Sequence, residues 1–236
     1  ARGQEDAALA GRALDERAFR TTLVARAMKT YLFDLDGTLL DSFGLIISSF
    51  HHTSRVHLDK EFSDEYWMAG IGTPLRTQLS RVASSEEELD AMLDTYRQHN
   101  LDNHDTVARA YPGVVDVVRK LHRDGAKLGL VTSKLSQGAN RGLRLLDLEA
   151  EFRVRVCADD VVHGKPHPEP VLKALGALDS EPAEALFIGD SEHDMQAGRA
   201  AGVETVAVRW GPFPPEKLAA AEPSHWINTP EEVFAL

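Results

Sequence analysis

The sequence predicts an α/β fold: a three-layer α/β/α core around a parallel sheet, with an inserted α-helical cap. The first observation is that beyond residue 112 short apolar runs, typical of buried strands, alternate with helical patterns. The second is that an isolated apolar run at 30–34 is separated from the next strand by an interval too long for a loop. The third is that apolar residues within this interval recur at three- and four-residue spacing, which is typical of helices. We expect strands at 30–34, 127–132, 153–157, 185–189 and 203–208, and helices at 42–57, 73–82, 85–101, 114–124, 136–147, 168–177, 191–201 and 229–236.

These patterns divide the chain into three parts. Residues 28–41 and 112–236 are expected to form the core, and residues 42–111 the helical cap. Because the cap follows the turn after the first strand, it is well placed to close over a site there and exclude water. Residues 1–27 are rich in Ala and Arg and are expected to be an N-terminal extension without a catalytic role.

The composition restricts the class of partner. The 236 residues have a net charge of −11, which argues against nucleic acid and anionic membranes as partners. No apolar run approaches the length of a membrane span. The single Cys157 excludes an intrachain disulfide, fits a reducing compartment and is expected to be a core thiol. We therefore expect a cytoplasmic protein, either a monomer or a homodimer.

The end of the first strand has the strongest chemical signal. The apolar run leads into Asp34-Leu35-Asp36-Gly37-Thr38-Leu39. Side chains at i and i+2 of an extended chain point the same way, so Asp34 and Asp36 face one site at the carboxyl end of a strand, where open α/β sheets bind ligands. Gly37 suits a turn that needs a positive φ. An Asp-rich turn is the structural alternative.

Three further strand ends or loops have candidate polar residues. Thr132 and Ser133 follow the 127–132 strand and are suited to binding phosphoryl oxygens, although helix capping explains them equally well. Lys165 lies in a proline-rich loop that would aim its charge, whereas a lone Lys is more often a surface residue. Asp190 and Asp194 lie one helical turn apart. This spacing suits Mg²⁺ ligands, and residues that cap a helix or complement its dipole are the structural alternative.

Taken together, these segments resemble the haloacid dehalogenase superfamily of phosphohydrolases. The helical insertion looks like that family's type 1 cap, and Ile71-Gly72-Thr73-Pro74-Leu75 is similar to its phosphoglycolate phosphatase-like and pyrophosphatase-like branch. The resemblance implies a Rossmann-like core and covers about 30–236. The matching motifs are Asp34-Leu35-Asp36-Gly37-Thr38, then Thr132, then Lys165, then Gly189-Asp190-Ser191 with Asp194, Ala197 and Gly198.

The resemblance also implies a role for each residue. Asp34 would attack phosphorus and form an aspartyl-phosphate, while Asp36 would protonate the leaving oxygen and then activate water. Thr132, Ser133 and Lys165 would hold the substrate's phosphoryl oxygens. The implied cofactor is Mg²⁺, with Asp34, the Asp36 backbone carbonyl and Asp190 as ligands and Asp194 supporting them.

The substrate is expected to be a small phosphorylated metabolite, with 2-phosphoglycolate as the first choice. Inorganic pyrophosphate and sugar phosphates are alternatives within the same fold, and a non-catalytic phosphate-binding protein is a remote one. Mutase activity is disfavoured because Ile46 stands where the similar mutases have a cap histidine, and dehalogenase activity because Asp36 is present. Within the cap, Arg76, and also Arg55, are candidates to bind a second anionic group of the substrate.

Overall fold

The computed structural model describes residues 30–58 and 60–236, so the predicted extension at 1–27 lies outside the described residues. We number the strands and helices in chain order. Strands β1 to β8 are Thr30–Phe33, Leu40–Asp41, Arg109–Ala110, Lys127–Val131, Val154–Val156, Ala185–Gly189, Glu204–Val208 and His225–Ile227. Helices α1 to α9 are Phe43–His57, Asp64–Met68, Leu75–Leu79, Glu86–Val107, Val114–Arg123, Ser136–Leu145, Glu169–Ala177, Glu192–Ala200 and Pro215–Ala219, and 3₁₀ turns occur at Ala158–Asp160, Pro182–Glu184 and Pro230–Ala235.

Six strands form one parallel sheet in the order β5-β4-β1-β6-β7-β8. Strand β1 lies in the middle, paired with β4 through Phe33 and Leu130 and with β6 through Phe33 and Ile188. The carboxyl ends of these three strands therefore lie side by side. The chain segments that follow them contribute most of the predicted site residues.

Helices cover both faces of the sheet, because the side chains on both faces of β1 are buried. Tyr31 and Phe33 face the apolar cluster that includes side chains of α5 and α6. Leu32 faces the opposite cluster, which includes side chains of α7 and α8. The prediction of a three-layer α/β/α core around a parallel sheet is thus confirmed.

The helical insertion leaves and rejoins the core through a short antiparallel ribbon, in which Leu40 of β2 pairs with Ala110 of β3. Between these strands, α1 to α4 enclose an apolar cluster of their own. Its centre is a stack of Phe50 on Trp67, with ring centroids 4.5 Å apart. The division into a 42–111 cap and a 28–41 plus 112–236 core stays a prediction, and this separate cluster is consistent with it.

Several boundaries inside the insertion differ from the sequence-based expectation. Helix α4 runs to Val107 rather than ending at 101, because neither Gly nor Pro interrupts 86–107. The helix expected at 73–82 is the single short helix Leu75–Leu79. Helix α2, the β2–β3 ribbon and edge strand β8 were not predicted, because two- to five-residue elements give too little periodicity to detect.

Two expectations from composition can be compared with the structure. Cys157 follows β5 and is buried, so the prediction of a core thiol is confirmed. Over the described residues, the search for a helix of sufficient length and hydropathy to cross a bilayer found none.

Candidate active site

The turn after β1 brings its two aspartates to the carboxyl edge of the sheet. The Asp34 backbone N–H donates to the Ile188 carbonyl at 2.9 Å and so prolongs the β1–β6 pairing by one residue. Gly37 has φ of +85°, and a Cβ added there would lie 2.0 Å from Asp190 Oδ2. Glycine at this position therefore allows both the turn and the close approach of Asp190.

Three buried carboxylates meet at this edge. Oxygens of Asp34, Asp190 and Asp194 lie within 4.8 Å of one another. Asp194 is fixed by the N-cap of α8, where Ser191 Oγ and the Ser191 N–H donate to its Oδ2 at 2.6 and 3.0 Å. Burial raises the pKa of Asp34 to about 7, and burial together with the charges of Asp194 and Asp34 raises the pKa of Asp190 well above its usual value.

Lys165 is the cation inside this cluster. Its Nζ lies 2.5 Å from Asp194 Oδ1, 3.1 Å from Asp34 Oδ1 and 3.3 Å from the Val131 carbonyl. Its side chain is only 3% exposed. Burial opposes its charge, but the facing carboxylates of Asp194 and Asp34 outweigh burial and raise the pKa of Lys165. Lys165 therefore stays charged at neutral pH.

The donor set fits a divalent cation. Asp190 Oδ1 accepts from Thr38 Oγ1 at 3.3 Å, whereas its buried Oδ2 has no hydrogen-bond partner within residues 30–58 and 60–236. A hard cation would satisfy that oxygen and relieve the repulsion that raises the pKa values of Asp34 and Asp190. The structure thus places predicted ligands Asp34 and Asp190 together, with Asp194 beside them; the part assigned to the Asp36 backbone carbonyl stays a prediction.

Asp36 points to a different set of partners. Lys134 Nζ donates to both of its carboxylate oxygens, at 2.8 and 3.0 Å, and Ser42 Oγ donates to Oδ1 at 2.5 Å. Sequence reasoning missed the contact with Lys134. The sequence shows only that Lys134 follows Thr132 closely after β4, which places it near the site without indicating its partner.

The two hydroxyl residues after β4 lie at the junction with the cap. Thr132 is buried, and its Oγ1 accepts from the Lys134 N–H at 3.2 Å. Ser133 Oγ donates to the carbonyl of Gly72 in the cap at 3.4 Å. Both predicted phosphoryl-binding residues line the same cavity as Asp34, and Ser133 contacts the cap directly.

A cavity of about 320 Å³ opens between the site and the cap. Arg76 lines it, but the Arg76 guanidinium is bonded to Asp90 and Glu86 of the cap, at 2.6 Å each. An anionic substrate would have to compete with both carboxylates, so a substrate contact by Arg76 stays a prediction. Arg55 is exposed, 3.7 Å from Glu61. The core residues that line the cavity are Asp34, Asp36, Thr132, Ser133, Lys134, Lys165 and Asp190, and the cap residues include Ile46, Phe50, Ile71, Leu75, Tyr96 and Asn100.

Comparison with known proteins shows one family over most of the chain. The family model described as haloacid dehalogenase-like hydrolase matches residues 31–208. A pyrophosphatase PpaX of Anoxybacillus flavithermus is 40% identical over 209 residues, which is 89% of this chain and 96% of the relative. A pyrophosphatase PpaX of Bacillus cereus is 43% identical over 183 residues, 78% of this chain and 84% of the relative.

Solved structures give the same result for the fold. A crystal structure of a predicted phosphoglycolate phosphatase from Haemophilus somnus superimposes with a TM-score of 0.82, at 23% identity, over 90% of this chain and 98% of the other. A haloacid dehalogenase-like hydrolase structure from Bacteroides fragilis gives 0.79 at 27% identity, over 85% and 97%. Because the family model covers most of the chain and relatives of 40% and 43% identity are named pyrophosphatases, the chain belongs to the haloacid dehalogenase-like hydrolases and is a phosphatase of that superfamily.

Proposed function

We propose that this phosphatase hydrolyses inorganic pyrophosphate with Mg²⁺ through an aspartyl-phosphate on Asp34. The observation that supports this best is the placement of charge around the cavity. Lys165 lies beside Asp34, where the proposed mechanism would put the transferred phosphoryl group, and Lys134 lies beside Asp36, where it would put the leaving group. A substrate with two adjacent phosphoryl groups matches two cations placed in this way. The relatives named pyrophosphatase PpaX support the same substrate.

The first half of the reaction transfers the phosphoryl group to the protein. An Asp34 oxygen attacks phosphorus in line with the bridging P–O bond. As that bond breaks, its electron pair goes to the leaving phosphate, which takes a proton from protonated Asp36. Lys165 and the Thr132 hydroxyl hold the transferred phosphoryl oxygens while their charge redistributes.

The second half returns the enzyme to its starting state. Asp36 accepts a proton from a water molecule, the water oxygen attacks phosphorus, and the bond between phosphorus and Asp34 breaks. The electron pair returns to the Asp34 carboxylate, and orthophosphate leaves. Asp34, Asp190 and the Asp36 backbone carbonyl, with Asp194 behind them, would hold Mg²⁺, which would supply positive charge to the phosphoryl oxygens and favour the ionised form of Asp34.

The second candidate substrate is 2-phosphoglycolate. The segment Ile71–Leu75, which resembles the phosphoglycolate phosphatase-like branch, lines the cavity. The carboxylate of 2-phosphoglycolate would lie where the second phosphoryl group of pyrophosphate lies. It is a monoanion, so it matches the charge of Lys134 less fully.

Phosphate release by the purified protein tests the proposal. We would measure kcat/KM for pyrophosphate, 2-phosphoglycolate, glucose 6-phosphate and phenyl phosphate, each with MgCl₂ and each with EDTA. We expect the highest value for pyrophosphate with Mg²⁺ and loss of turnover with EDTA. Asp34→Asn is the matched variant, with turnover abolished and the circular dichroism spectrum retained. A kcat/KM for pyrophosphate below that for phenyl phosphate would overturn the substrate, and full activity of Asp34→Asn would overturn the mechanism.

A further inference from the structure

We propose that Lys134 is the residue that selects substrates with a second anionic group, by moving its ammonium from Asp36 to that group when the substrate binds. The inference rests on the proposed function and names the group that recognises the leaving phosphate. The structure shows the Lys134 ammonium on Asp36. Its contact with the second anionic group of a substrate is inferred from the charges around the cavity.

The position of Lys134 is fixed by its surroundings on three sides. Its Nζ makes the two bonds to Asp36 described above, with 13% of the lysine side chain and 20% of the aspartate side chain exposed. Its backbone N–H is held by Thr132. Its aliphatic stem lies against Gly138 of α6, where an added Cβ would be 3.0 Å from Lys134 Cε and 3.3 Å from Cδ. The stem is thus directed into the cavity, while the ammonium at its end keeps the freedom of the terminal bonds.

Among the described residues, Lys134 is the cavity's best available cation for a leaving anion. The cationic residues that line the cavity are Lys134, Lys165, Arg76 and Arg97. Lys165 is engaged by two buried carboxylates, and Arg76 by two carboxylates of the cap. Arg97 is largely exposed and lies 3.7 Å from Asp94. Lys134 has one carboxylate partner, and that partner is the residue that must act as an acid.

The contact with Lys134 also obstructs the work of Asp36. The Lys134 ammonium bonds both carboxylate oxygens of Asp36, the atoms that must face the leaving group. A second phosphoryl group offers the ammonium a dianion in exchange for the single carboxylate, so the lysine moves and the Asp36 oxygens are exposed to the leaving group. When the bridging bond breaks, its electron pair passes to the leaving phosphate, which takes its proton from Asp36 as described above, and Lys134 neutralises the remaining charge. A monoester without a second anion leaves Lys134 on Asp36 and is turned over more slowly.

Two variants at Lys134 and a control at Lys120 test this proposal. Lys134→Met removes the ammonium, and Lys134→Arg keeps a cation. Lys120→Met removes an exposed lysine of helix α5, which pairs with Asp124 and does not line the cavity. For each protein we would measure kcat and KM with pyrophosphate and with phenyl phosphate. Calorimetry would give the affinity for imidodiphosphate, a pyrophosphate analogue with a nitrogen bridge that reports binding independently of turnover.

The expected results separate recognition from a general loss of activity. For Lys134→Met, the ratio of kcat/KM for pyrophosphate to kcat/KM for phenyl phosphate falls at least about tenfold, and imidodiphosphate binds about a hundredfold more weakly. Lys134→Arg recovers most of the binding, and Lys120→Met matches the wild type. An unchanged ratio with unchanged imidodiphosphate affinity overturns the inference, since Lys134 would then serve Asp36 alone. If the wild type fails to hydrolyse pyrophosphate, the proposed function falls, and the imidodiphosphate affinities still decide the part played by Lys134.

Discussion

Replacing Lys165 with methionine removes a buried charge while nearly preserving the length of the side chain. In the folded protein it leaves Asp34 and Asp194 facing each other without the ammonium that lies 3.1 and 2.5 Å from them. Removing one partner of a buried ion pair typically costs about 3–5 kcal/mol, a large part of the roughly 5–15 kcal/mol by which domains are stable. We expect a decrease of about 3 kcal/mol or more in the free energy of unfolding at pH 8.

The same variant predicts a pH dependence whose sign follows from Asp34. Burial has already raised the pKa of Asp34 to about 7, and loss of the nearby cation raises it further. A carboxyl whose pKa is higher in the folded than in the unfolded state destabilises the fold as the pH rises from its unfolded-state pKa to its folded-state pKa. The loss of stability should therefore be smaller at pH 5.5 than at pH 8.

Urea unfolding in EDTA, followed by tryptophan fluorescence, measures both effects. Lys120→Met is the control, because its pair with Asp124 is exposed and should be worth less than about 1 kcal/mol. The double variant Lys165→Met with Asp194→Asn should be less destabilised than the sum of its single changes, because each change removes the other's partner. A loss at pH 8 no greater than that of the control would refute the reasoning that Lys165 neutralises this cluster.

Four other measurements examine separate features of the site. Gly37→Ala should lower kcat at least about a hundredfold and weaken Mg²⁺ binding, because the added methyl group meets the Asp190 carboxylate at 2.0 Å and φ is +85°; wild-type kinetics would contradict this. Since the pKa of Asp34 without metal is about 7, Mg²⁺ binding should release protons, and its affinity should rise about tenfold from pH 6 to pH 8, as calorimetry in two buffers would show; a pH-independent affinity would count against the ligand set. Burial raises the pKa of the Cys157 thiol to about 11, so a disulfide reagent at pH 8 should react slowly with the folded protein and rapidly in urea. Arg76→Ala should change KM for pyrophosphate and for phenyl phosphate by the same factor if its bonds within the cap are its role, whereas a selective rise for pyrophosphate would support the predicted substrate contact.

The parts of the site that the sequence predicts are those at strand ends. Strands β1, β4 and β6 are adjacent and parallel, so whatever follows them converges at one edge regardless of its separation along the chain. Asp34, Thr132 and Asp190 therefore meet because each follows a run of buried residues that sequence periodicity detects. Lys165 meets them from a loop, where its position was inferred from the family resemblance and from the stiff prolines.

The parts that the sequence does not predict depend on side-chain pairing across elements. The bond between Lys134 and Asp36 joins residues 98 positions apart, and no local pattern states which carboxylate a lysine will choose. Arg76 shows the same limit. A cationic residue on the cap suggests a site for an anion, yet in the structure its guanidinium pairs with Glu86 and Asp90 of α4. Propensity and periodicity locate elements, whereas these choices are decided by tertiary packing.

The carboxylate cluster is difficult to explain by stability alone. Three buried acids around one lysine leave an excess of negative charge in a region of low dielectric, and apolar side chains of similar volume would typically stabilise a fold at least as well. The raised pKa values of Asp34 and Asp190 express this cost in the metal-free protein. A cation that binds only the folded state relieves this repulsion and raises the free energy of unfolding. Relief of the repulsion therefore contributes to the affinity for the metal. The same unfavourable electrostatics that make the metal-free site costly thus favour the binding of a divalent cation.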